Sequence, residues 1–212
     1  TVFAITGVAN AYNIIDGFNG LSSMIGMIAL VALGYMGLQL HDPLIVFMAF
    51  TMAGAILGFF ILNYPRGLIF LGDGGSYFIG FALAWVAVLL IERNSSVSAF
   101  AALVICAHPL TEVLFSIYRR HYKKLHPGHP DRLHFHSLVK QRYVRRWFGN
   151  HSNRIRNSIT GVLIGLMTVV AIVLASLTYA STLWSVLAFV GLSSTYVIFY
   201  IRMVRHSWLS LF

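Results

Sequence analysis

The stretch Asn10-Ala-Tyr-Asn13-Ile-Ile-Asp16-Gly17-Phe-Asn19-Gly20-Leu21 sets three asparagines, an aspartate and two glycines between apolar segments. Steps of three put Asn10, Asn13 and Asp16 in one stripe of a helix, drifting by about 60° per step. An aspartate at mid-bilayer costs about 2.5–3.5 kcal/mol on insertion scales, but less near the interface, so Asp16 can stay ionised beside water. Gly17 and Gly20 are expected to break the helix. A second stretch, Asn63 to Gly80, surrounds Asp73 with Gly72, Gly74 and Gly75 and follows it with Ser76. Two readings of Asp73 stand side by side: an N-cap of the next helix, or a metal ligand facing a phosphate. Mg²⁺ suits the second, because this hard cation commonly bridges one or two carboxylates to substrate phosphates.

A third stretch, His126 to Leu138, holds four histidines with Asp131 and Arg132. Zinc is a poor fit: the cluster has no cysteine partner and His-x-His alone is a weak zinc signature. Arg132, His134 and His136 read better as a cradle for an anionic ligand, since a guanidinium suits bidentate phosphate recognition. A basic juxtamembrane segment that binds anionic lipid is the plainer alternative. Glu112, late in an apolar span, is expected to pair with a basic residue such as Arg119 or Arg120 rather than to touch substrate. The single cysteine, Cys106, reads as a small buried hydrophobe.

Apolar helices must hold these residues. Of 212 residues 58% are hydrophobic and only 10% charged, against about 25% charged in soluble domains. The chain is therefore expected to be an all-α polytopic membrane protein. Six complete spans are predicted, at Gly20–Leu40, Leu44–Asn63, Ser76–Ile91, Ser98–Ile117, Ile159–Tyr179 and Leu183–Ile201, with Thr1–Ile15 as the end of a seventh. One long basic loop, 119–156, carries 11 of the 15 Lys and Arg. The positive-inside rule puts that loop in the cytoplasm. Alternation then leaves 14 of the 15 basic residues inside, with only Arg93 outside. It also puts all three polar clusters on the cytoplasmic side. The net charge of +9 is thus a topology signal, and no nucleic-acid partner is expected. The chain opens at Thr1 inside an apolar run and reads as the C-terminal part of one membrane-embedded domain.

Together the clusters resemble the polyprenyl-phosphate N-acetylhexosamine-1-phosphate transferases, the family that also holds phospho-N-acetylmuramoyl-pentapeptide transferase. Asn10 to Leu21 looks like N-x-x-N-x-x-D-G-x-D/N-G-L, Phe70 to Ser76 like F-x-G-D-x-G-S, and Pro130 to His136 like P-D-R-x-H-x-H. The resemblance implies a multi-pass enzyme of the bacterial inner membrane with a cytoplasmic active site. Its partners would be a UDP-N-acetylhexosamine, undecaprenyl phosphate and membrane lipid, with a homodimer left open. Its cofactor would be Mg²⁺ or Mn²⁺, its product a lipid-linked sugar that starts a cell-envelope glycan such as O-antigen. Asp73 would hold the metal, with Asp16 as the second catalytic carboxylate. Asn63 and Phe70 would lie at the uridine site, and Asn10, Asn13, Asn19, Arg132, His134 and His136 would bind substrate.

Three departures qualify the resemblance. Asn19 stands where many relatives have a second aspartate. Ser137 follows His136 where another histidine is common, and the loop lacks the H-H-H-F-E run of the muramoyl enzyme. The family's D-D-x-x-D motif does not occur in these residues, so the upstream part is expected to carry it and the 212 residues alone to be inactive. Two other classes compete: a transporter of lipid-linked sugars or anions, and a non-catalytic scaffold. The transporter expects midplane polar residues and inverted repeats, whereas here polarity gathers at one face and no repeat is visible. The scaffold explains the basic loop but not the two Asp-Gly clusters.

Overall fold

The structure is a computed structural model and describes residues 1–122, 124 and 133–205. The described residues form ten α-helices and one π-helical turn. In order these are α1 (Val2–Ile15), α2 (Leu21–Gln39), α3 (Pro43–Asn63), α4 (Gly72–Arg93), α5 (Ala99–Ile105) and α6 (Ala107–Tyr122). Then come α7 (Phe135–Val139), the π-turn Lys140–Val144, α8 (Arg145–Trp147), α9 (Asn153–Thr178) and α10 (Thr182–Arg205). Five helices are long and apolar enough to cross a membrane, or six if the bent pair α5–α6 counts as one span. The all-α polytopic reading therefore holds. The helix break expected at Gly17 and Gly20 is present, between Ile15 and Leu21.

α2 forms the centre. It packs on α3, α4 and α9, and its Leu21, Ile25, Leu30 and Leu33 are fully buried. α3 and α10 stand at the periphery: only 22% and 17% of their apolar windows are buried, so most of their apolar surface is left for lipid. α1 packs along α4, and the two helices approach closely at Gly80. A Cβ on Gly80 would lie 2.6 Å from the Cα of Ala9 and 2.8 Å from the carbonyl of Val8. Only a residue without a side chain lets these backbones meet, and their meeting sets the height of Asn13 against Asp73.

Two expectations need correction. The continuous span Ser98–Ile117 is broken: α5 ends at Ile105, α6 opens at Ala107, and the two are bent by 82°. Pro109 accounts for the break. It has no N–H to give the carbonyl of Ile105 four residues back, and its ring clashes with that carbonyl in a continuous helix. Cys106 sits at the break and is buried and free, as a small hydrophobe would be. Likewise 119–156 is not a plain loop. α6 runs through Arg119 and Arg120, α9 begins before Arg154 and Arg156, and most of 135–147 is helical.

The two ends of the bundle differ. At one end Asp42 caps α3 through the N–H groups of Leu44 and Ile45 and also takes the Arg93 guanidinium at 2.7 Å and the Asn94 amide at 3.2 Å. The bond to Arg93, above all, holds the Asp42 carboxyl below the usual range. At the other end lie the α1–α2 link, the α3–α4 link and 133–152, which carry the Asp-Gly clusters and, of the histidine cluster, His134 and His136.

Candidate functional site

Asp73 lies in the first turn of α4, where the backbone N–H groups are unpaired and a negative charge is favoured. It is not the N-cap. That position is Leu71, with no side-chain cap bond. Asp73 is exposed, and its Oδ1 accepts from Asn13 Nδ2 at 2.9 Å. The same Asn13 amide donates to Ser76 Oγ at 3.0 Å, so α1 grips the opening turn of α4. Asp16 follows α1 by one residue and is half-buried. Burial, and then the charge of Asp73, raise its carboxyl to about 6. The two aspartates thus share one field although 57 residues separate them.

Both aspartates line a cleft of about 330 Å³, with Asn13, Asn19, Asn63, Phe70 and Asn157 on its wall. Phe70 is 83% exposed at the rim. Asn63 is buried and scaffolds the wall: its Oδ1 accepts from Gly20 N–H at 2.6 Å and its amide donates to the carbonyl of Ile69 at 2.7 Å. Asn19 donates to the carbonyl of Pro65 at 3.4 Å, so the α1–α2 link is tied to the α3–α4 link twice. Asn10 is exposed on α1 and is not among the lining residues, so the stripe of three divides at Asn13.

The histidine segment packs against the same link. His136 is buried, its ring meets Phe18 edge-on at 5.2 Å, and it stacks on His134 at 5.4 Å. A Cβ on Gly17 would lie 2.8 Å from His136 Nε2; glycine is what lets the imidazole stand behind the cleft. Arg132 lies outside the described residues, as do His126, His129 and Asp131.

Glu112 turns out to anchor this segment. It is fully buried. His134 Nδ1 lies 2.9 Å from its Oε1, Tyr196 donates to its Oε2 at 2.7 Å, and the Phe135 N–H reaches both oxygens at 3.3 and 3.2 Å. The structural role expected for Glu112 is present, with His134 as its basic partner. Arg119 instead donates to the carbonyl of Leu133 at 2.5 Å and to the Tyr200 hydroxyl. α6 and α10 therefore hold the start of α7 from two sides.

Sequence reasoning missed Asn157 and Phe18. Asn157 lines the cleft from α9, and its Oδ1 is buried with no hydrogen-bond partner among the described residues. An asparagine two residues before the predicted span Ile159–Tyr179 was its only signal. Among the described residues no three His, Cys, Asp or Glu side chains gather around one point. The donor set is instead two carboxylates and an unpaired amide oxygen, all hard oxygens. That set fits a divalent cation that takes its remaining ligands from water or phosphate, as Mg²⁺ does.

The profile of glycosyl transferase family 4 matches residues 1–91. Similar curated proteins include the undecaprenyl-phosphate alpha-N-acetylglucosaminyl 1-phosphate transferase of Yersinia pestis, 28% identical over 175 residues, 80% of this chain and 47% of that protein. The proteins of the same name from Escherichia coli (strain K12) and Salmonella typhi are 31% and 34% identical over 144 residues, 66% of this chain and 39% of theirs. The chain thus spans less than half the length of these relatives. Residues 1–91, which carry both aspartates of the cleft, thus match glycosyl transferase family 4, and the chain is similar to these transferases over 66–80% of its length.

Proposed function

We propose that the chain forms the donor-side part of an enzyme that moves an N-acetylhexosamine-1-phosphate from a UDP-sugar to undecaprenyl phosphate, at the cytoplasmic face of the bacterial inner membrane. An oxygen of the acceptor phosphate bonds to the β-phosphorus of the donor. The bond from that phosphorus to the bridging oxygen breaks, and UMP leaves with the oxygen. The product begins a lipid-linked cell-envelope glycan. The observation that carries this reading is the meeting of Asp16 and Asp73 in one cleft, with Asn13 fixing Asp73.

Phosphoryl transfer depends on positioning and on neutralising charge more than on covalent chemistry by the protein. Asp73 and Asp16 would hold Mg²⁺ or Mn²⁺, with Asn157 Oδ1 available as a further oxygen. The bound ion would supply positive charge to the donor diphosphate. Asn13 holds Asp73 through one hydrogen bond at 2.9 Å, which would reduce the reorganisation needed when the ligand arrives. Asp16, raised to about 6, is ionised near neutral pH and gives its charge to the site. Phe70 is open at the rim for stacking on a planar base. Asn19 and Asn63 keep the two links together, and His136 backs the wall at Gly17. The apolar flanks of the bundle leave the isoprenoid tail in lipid while its phosphate reaches the interface.

The test is release of UMP from UDP-N-acetylglucosamine by the full-length protein in membranes or detergent, with and without undecaprenyl phosphate. Acceptor-dependent release that needs a divalent cation is expected. Sugar uptake into vesicles without UMP formation would replace this reading with a transporter.

A further inference from the structure

A second cleft, of about 340 Å³, opens beside the first, and Phe18 lines both. Their charges are opposite. The first cleft has Asp16 and Asp73 on its wall and no Lys or Arg; the second has Lys140, Arg145 and Arg156 and no carboxylate. The three cations come from three elements, namely the π-turn, α8 and α9, so no single helix face explains their convergence. Among the described residues no carboxylate pairs with these three; Arg156 Nη1 donates only to the carbonyl of Gly149 at 3.5 Å, and burial, then Arg156 and Arg145, hold the Lys140 ammonium below its usual range. Arg156 Nε is buried with no hydrogen-bond partner among the described residues. Asn153, the first residue of the 26-residue helix α9, lines the same cleft, so the positive end of that helix faces it too. Lys140 Nζ lies 5.2 Å from the centre of the Phe18 ring, whose edge meets His136. Phe18 is therefore a wall one ring thick between a cation-seeking cleft and an anion-seeking one.

We infer that Lys140, Arg145 and Arg156 form a phosphate-binding subsite, one ring's width from the carboxylate cleft, that seats a phosphate monoester dianion of substrate or product. The identity of that phosphate rests on the transferase reading: it is the headgroup of the isoprenyl acceptor or the phosphate of the departing nucleotide. Guanidinium and ammonium groups at one point suit a dianion far better than a neutral sugar. Opposed charges across Phe18 would hold the phosphate close to the metal-binding side without letting the cations pair with Asp16 or Asp73.

Binding and turnover are measured on the same full-length protein. The probes are UMP and a short-chain isoprenyl phosphate, titrated at two salt concentrations against wild type, the double variant Lys140→Ala/Arg156→Gln, and Lys140→Arg. At least one probe should bind wild type in a salt-dependent way, about tenfold or more weaker in the double variant and close to wild type in Lys140→Arg. Weakening of the isoprenyl phosphate alone assigns the acceptor, and weakening of UMP alone assigns the leaving group. Equal affinity of wild type and a folded double variant for both probes overturns the subsite, whatever the turnover. If the probes bind as expected but no UMP is ever released, the subsite stands and the transferase reading falls.

Discussion

Asp16 and Asp73 are held near each other by neighbours that do not neutralise them. Asn13 is neutral, and the charge acting on Asp16 is another carboxylate. The shift of Asp16 to about 6 from an ordinary 3.8 means that the folded protein binds its proton more tightly than the unfolded chain does. Stability from this proton is complete below about pH 4 and is lost as pH rises through about 6. Removing the Asp73 charge should move the Asp16 titration downward, readable by carboxyl NMR on metal-free wild type and Asp73→Asn. An unchanged Asp16 titration would mean that the two do not share a field. In turnover, the activity of wild type should fall on the acid side near pH 6 at low metal concentration, and added Mg²⁺ should move that fall to lower pH. Asp42, at the other end, has the opposite sign. Its depressed carboxyl stabilises the fold above about pH 4, and that gain is lost as pH falls through its folded value. Arg93→Ala should therefore raise the midpoint of acid unfolding, read as an upward shift of the acid transition against wild type.

Helices decide whether the residues meet. α1 and α4 carry Asn13 and Asp73, and their closeness rests on Gly80. Gly80→Ala should cost about 1–3 kcal/mol by overpacking and lower activity through the Asn13 contact; thermal unfolding in detergent beside turnover reads both. α6 acts at a distance from the cleft, through Glu112. Glu112→Gln should keep the Tyr196 bond while weakening the hold on His134 and the Phe135 N–H, so α7 loosens. Faster proteolysis or hydrogen exchange at 133–139 than in wild type is the readout; unchanged protection would reduce Glu112 to a core residue. These long-range partners explain what the sequence could convey. The Asn13–Asp16 spacing, the Asp73 glycines and the apolar spans are local patterns, and each was legible. Whether Glu112 would choose His134 or Arg119 depends on how α10 presents Tyr196 and Tyr200, which no local pattern encodes. The break at Cys106 was encoded by Pro109 but hidden inside an apolar run long enough to span.

Across the whole molecule, among the described residues, the two Asp-Gly clusters, His136 and the cationic cleft gather at one end and the Asp42–Arg93–Asn94 knot at the other. The cytoplasmic placement proposed for the first end rests on the charge asymmetry of the connecting segments. In a Cys106→Ala background, Asn150→Cys should be labelled by an impermeant thiol reagent only in inside-out vesicles and Ser95→Cys only from outside; the reverse pattern would invert the topology. The Asn10 stripe shows where sequence reasoning stopped: helical spacing places residues on a face, but only packing against α4 selects Asn13 and leaves Asn10 exposed. Asn157 and Phe18 needed the fold, because the cleft brings residues of α9 beside a link more than 130 residues earlier. The central claim is that Asp73 and Asp16 hold the metal-bound donor, and turnover of full-length Asp73→Asn, with unfolding temperature and Asn13-side packing intact, tests it most directly. We predict a loss of UMP release on the order of 10²-fold or more; turnover within about twofold of wild type in a folded variant would contradict the account.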